Sequence, residues 1–99
     1  MSDYIKYLDE HYRKFSNGAT VWVALGDGHI QQATVLYADY TPIQTLNSVI
    51  FRYALSIPNY FTWNAVPLFD YSKVCATPND ASEMTYDKYF VSYIDFTFE

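Results

Sequence analysis

The chain has 99 residues, 51% of them hydrophobic and 20% aromatic, with three glycines, four prolines and a formal charge of −5. That is one small domain burying roughly 60 to 65% of its extended surface on folding, which excludes two domains, disorder and low-complexity or collagen-like structure. No apolar run approaches the roughly 20 residues of a membrane span, and the start Met1-Ser2-Asp3-Tyr4 has no basic-then-apolar leader pattern, so a soluble cytoplasmic protein with no membrane partner is expected.

The first segment predicts an amphipathic helix over residues 3–16. Ser2 is placed to cap it, and Tyr4, Ile5, Leu8, Tyr12 and Phe15 recur on one face. Lys6, Asp9, Glu10, Arg13 and Lys14 form the solvated face, with Asp9 to Arg13 and Glu10 to Lys14 spaced as acid-first pairs. Gly18 is expected as the left-handed cap.

The period then changes from about 3.6 to 2. Val21, Val23 and Leu25 alternate with Thr20, Trp22 and Ala24, and Gly26-Asp27-Gly28 predicts a turn into a second strand over residues 30–37, with Ala33, Val35 and Tyr37 facing inward. Residues 38–47, interrupted by Pro42, read as a loop. A third strand over residues 48–57 sets Val49, Phe51, Tyr53, Leu55 and Ile57 on one face, and residues 60–66 return as a fourth. Residues 72–76 form a short fifth strand. Thr77-Pro78-Asn79-Asp80 supplies an N-cap, a proline at the first helical position and an acid at the third, so a helical turn to about Met84 follows. A long strand over residues 88–98 ends the chain.

The fold class expected is therefore α+β, mostly β, in a single domain. An N-terminal helix (1–18) precedes a barrel-like β core (19–84) of about five to six antiparallel strands as a small barrel or curled sheet, and a C-terminal strand (85–99) follows. Residues 18–23, the Gly26-Asp27-Gly28 turn, and Ile30 with Ala33 and Val35 resemble the opening hairpin of SH3-like barrels. Residues 73–81 resemble the short strand and helical turn that close some of those barrels in small bacterial and phage proteins. The resemblance spans about residues 18–84, from which the N-terminal helix and C-terminal strand depart. It implies a binding module more often than an enzyme, and no ligand residues carry over from it.

Charge distribution narrows the partner. Three acids and three bases cancel within residues 1–18, leaving eight acids against three bases, Arg52, Lys73 and Lys88, in the rest. With so few cations, direct nucleic-acid binding is not expected. His11 and His29 belong to no metal-ligand pattern, Asp27 is explained by its turn, and the lone Cys75 reads as a small buried hydrophobe, so neither a catalytic residue, nor a metal, nor a cofactor is expected.

The eleven tyrosines stand out. Tyr37, Tyr40, Tyr60, Tyr71, Tyr86, Tyr89 and Tyr93 fall on expected loops or outer faces, and Asp39-Tyr40, Asp70-Tyr71 and Tyr86-Asp87 repeat an acid–tyrosine pairing suited to interfaces. Small, acidic, aromatic-rich chains of this kind resemble bacteriophage accessory proteins that inhibit a host defence or processing enzyme by contact. The function expected is thus a non-enzymatic protein-binding domain, a phage-type inhibitor occluding a basic site on a host protein in the bacterial cytoplasm. Its partner-binding residues would be Asp39, Tyr40, Tyr60, Asp70, Tyr71, Tyr86 and Asp87. The alternative is a homodimer or larger structural assembly through the C-terminal strand, using Tyr89, Tyr93, Phe96 and Phe98. A third reading is a nucleotide binder with a pocket of Trp22, Tyr53 and Trp63.

Overall fold

The computed structural model describes residues 3–25, 28–58, 66–84 and 91–95. Helix α1 (Asp3–His11) is followed by strands β1 (Thr20–Ala24), β2 (Ile30–Ile43), β3 (Ser48–Ser56) and β4 (Leu68–Asp70). A 3-10 turn (Tyr71–Lys73), helix α2 (Pro78–Ser82) and strand β5 (Tyr93–Asp95) complete it. The strands form one antiparallel sheet in the order β1-β2-β3-β4, with β5 also on β3, curled into a half-barrel. After β4 the chain crosses to the opposite edge, where Trp22 and Cys75 exchange two backbone hydrogen bonds of 2.8 and 2.9 Å. Residues 71–75 thus connect the two edges of the curl.

Strand β3 is the axis of the core. Val49, Phe51, Tyr53 and Leu55 are buried on its inner face, joined by Val21 and Val23 of β1, Ala33 and Val35 of β2, Ile94 of β5 and Leu8 of α1. Burying a side chain of this size contributes about 1.5 to 3 kcal/mol, and among the described residues this alternating strand places the most side chains in the core. Phe51 lies under three tyrosine rings, with centroids 4.7 Å from Tyr40, 4.9 Å from Tyr53 and 5.1 Å from Tyr71.

Several expected elements differ. Helix α1 stops at His11, about five residues early, because later backbone groups find other partners: the Lys14 N–H donates across the fold to the Tyr53 hydroxyl at 2.9 Å, and the Phe15 carbonyl accepts locally from Arg13 Nε at 2.7 Å. Gly18 has the expected positive φ of 90°, but it serves the entry to β1 rather than the helix end, donating to the Val35 carbonyl at 2.7 Å.

Residues 38–43, expected as loop, continue β2, and Pro42 stands opposite Val49. Strand β1 covers β2 only as far as Thr34 and Val35, so Pro42 lies where β2 is a sheet edge and a missing N–H costs no ladder bond. The 3-10 turn Gln44–Leu46 and the left-handed Asn47, at φ 50°, return the chain to β3.

A β-bulge between Val35 and Tyr37 inverts the alternation expected for β2. Tyr37 therefore faces outward, 46% exposed, while Ala38 and Tyr40 turn to the core. Residues 72–76 form a 3-10 turn and a single bridge in place of a strand, and β4 follows Pro67, where no strand was expected. Residues 60–65 of the expected fourth strand lie outside the described residues, as do 88–90 and 96–98 of the expected last strand, whose described part is a strand over Tyr93–Asp95. Among the described residues no helix is long and apolar enough to cross a membrane.

Candidate functional site

The segment after α1, the 3-10 turn, the Cys75 bridge and α2 converge on one side of the half-barrel. Three local rules place them. Asp70 caps the 3-10 turn by accepting from the Ser72 N–H at 3.2 Å. Thr77 caps α2, its Oγ1 accepting from the Asp80 N–H at 3.1 Å, and Pro78 starts the helix with φ already set. Ala81, fully buried, seats α2 against the sheet and leaves Asp80, Glu83 and Met84 exposed along its rim.

Between these elements lies an open groove of about 490 Å³. One lip is Lys14 and Phe15, the other is Asp80, Glu83 and Met84, and Tyr71, Ser72, Val74, Cys75 and Ala76 form the floor. Tyr71 is stacked on Phe51, 8° from parallel, and Tyr12 meets its ring edge-on at 6.5 Å. The aromatic core thereby reaches the groove through one rigid side chain.

Burial, with Asp80 adding to it, pushes the Cys75 thiol above its ordinary range against the opposing pull of Lys14 and Lys73, so it is neutral at pH 7. Burial and then the neighbouring Asp70 and Tyr12 raise Tyr71 in the same way. Among the described residues no group of three His, Cys, Asp or Glu could hold a metal ion.

The residues singled out from sequence distribute unevenly. Tyr71 lines the groove. Asp70 is 6% exposed and committed inside the fold: its carboxylate accepts from Ser72 N and Oγ at 3.2 and 2.5 Å and from the Ser92 N–H at 2.7 Å, tying β4, the 3-10 turn and the approach to β5 together. Asp39 and Tyr40 point to opposite faces of β2. Asp39 is half-buried and accepts from Arg52 Nη2 at 2.9 Å, whereas Tyr40, expected on an outer face, packs on Phe51 and donates its hydroxyl proton to Asp9. Arg52 stands in register between Asp39 and Asp70. Tyr93 is 56% exposed on β5, far along the sheet from α2 and paired through its strand with Ser48 to Ile50. Tyr53 is core and Trp22 half-buried. Tyr60, Trp63, Tyr86, Asp87, Tyr89, Phe96 and Phe98 lie outside the described residues.

Sequence reasoning missed Lys14, Phe15, Asp80, Glu83 and Met84 as site residues. The capping pattern at Thr77 to Asp80 located α2, but no local signal says that its rim faces the segment that follows α1, more than 60 residues earlier. Comparison of the chain with family models, with curated proteins and with solved structures gives no match.

Proposed function

We propose that this chain is a non-enzymatic protein-binding domain that takes a segment of a partner protein into the groove between Lys14–Phe15 and α2. The observation that carries this reading is the groove's composition: an apolar floor and lips from Phe15, Tyr71, Val74 and Met84, with Asp80 and Glu83 exposed at one lip. Aromatic and methionine side chains with a polar rim are the composition of contact surfaces. A neutral buried thiol and a lining without histidine among the described residues favour binding over covalent chemistry. The net charge of −5 favours a basic partner, steering it in solution and complementing it at the acidic lip. An inhibitor that occupies a basic site on another protein is the form of this reading the composition supports best.

Selection of displayed random peptides on the immobilised domain tests it. Enriched peptides should carry Lys or Arg next to apolar residues, and the double variant Asp80→Lys, Glu83→Lys should bind them at least tenfold more weakly, about 1.4 kcal/mol, while melting close to the parent. Equal binding to parent and variant would remove the groove as the site.

A further inference from the structure

The floor of the groove is also a sheet edge. Cys75 directs both its N–H and its C=O at Trp22 of β1. The two peptide groups that flank Cys75 are trans and planar, so the Val74 C=O and the Ala76 N–H point away from β1. Val74 is extended at φ −98°, ψ 124°, as is Thr77 at φ −134°, ψ 154°. Among the described residues neither the Val74 C=O nor the Ala76 N–H has a backbone partner, and Ala76 is exposed beside the acidic lip. An open donor–acceptor pair next to an apolar groove is a template for another strand.

We propose that the partner segment binds in extended form, adding as a strand along residues 74–76 with its backbone on the Val74 C=O and the Ala76 N–H. Its alternating side chains then divide: one set enters the groove, with an apolar residue over Tyr71 and Met84, and a Lys or Arg reaches Asp80 and Glu83. The acidic lip selects a cationic strand over an acidic one, and the short edge accounts for why side-chain contacts must supply much of the affinity. The proposal rests on the groove reading and specifies how that groove is filled.

The test leaves the protein untouched and changes the ligand backbone. A fluorescein-labelled seven-residue peptide of alternating Lys and Val is prepared unmodified, N-methylated on its Val residues, and N-methylated on its Lys residues. Strand addition requires the donors of one alternating set only, so one methylated peptide should lose at least about tenfold in affinity and the other should keep it. Saturation with the unmodified peptide should also slow hydrogen exchange of the Ala76 amide at least about tenfold. Equal loss or equal retention by the two methylated peptides, with Ala76 exchange unchanged, overturns strand addition and leaves the groove reading in place. No binding of the unmodified peptide at millimolar concentration also overturns it, whereas peptide selection decides separately whether the groove binds at all.

Discussion

Substituting Asp70 separates an internal tie from a surface contact. Its carboxylate accepts three hydrogen bonds, two from backbone N–H groups of Ser72 and Ser92 and one from the Ser72 hydroxyl. In Asp70→Ala both N–H groups lose their acceptor. Hydrogen bonds to a charged group contribute about 1.5 to 3 kcal/mol each, and because these three share one carboxylate the expected total is about 3 kcal/mol. For a domain of this size each kcal/mol shifts the melting temperature by about 4 to 8 °C, so Tm should fall by roughly 12 to 24 °C. Asp70→Asn, which keeps one acceptor oxygen, should fall between parent and alanine variant. Urea unfolding followed by tryptophan fluorescence gives the free energies, and exchange of the Ser92 amide reports the local tie. A loss below about 1 kcal/mol for Asp70→Ala, with an unchanged m value, would refute the structural assignment and return Asp70 to the surface.

Three further outcomes follow from the same geometry. Tyr53→Phe removes the acceptor of the Lys14 N–H and should cost about 1 to 2 kcal/mol in urea unfolding, with faster exchange of the Lys14 amide; a silent substitution would mean that the segment after α1 is held by other contacts. Burial, followed by its bond to Asp9, raises the Tyr40 hydroxyl above the value near pH 10 of an unfolded tyrosine. The protonated form therefore stabilises the fold fully below pH 10, and this contribution is lost as pH climbs above it; Tyr40→Phe should flatten the alkaline limb of the stability profile, and an unchanged limb would contradict the assignment. Cys75, buried and neutral, should react with a maleimide at least about tenfold more slowly in the native domain than in urea at pH 7, whereas equal rates would show an accessible thiolate.

What could be read from sequence was the part governed by near neighbours. The alternation of Val49, Phe51, Tyr53, Leu55 and Ile57 announces a half-buried strand, and all five are buried. Thr77, Pro78 and Asp80 announce a capped helix start because the cap spans only three residues. Illegible features depend on distant partners. Pro42 breaks a strand only if both edges are paired, and knowing that β1 ends short of it requires the register. The end of α1 is decided by the Tyr53 hydroxyl, 39 residues away from Lys14. The bulge at Leu36 turns Tyr37 out and Tyr40 in, so the expected exposure of Tyr40 reversed while Tyr37 became the open ring. The groove draws on three separated segments, and of the residues singled out beforehand it contains Tyr71. Asp70 carries the same lesson: an acid beside a tyrosine reads as a surface pair, yet the backbone N–H groups that need an acceptor are visible only when β4 and the approach to β5 are brought together.

The most direct test of the account is a ¹H–¹⁵N chemical-shift titration of the domain with a peptide enriched by selection. Docking in the groove predicts the largest shifts at Cys75, Ala76, Asp80, Glu83 and Met84, with little change at Leu36, Tyr37 and Leu68 on the outer face of the sheet. The largest shifts at Leu36, Tyr37 and Leu68, with a silent groove, would contradict it.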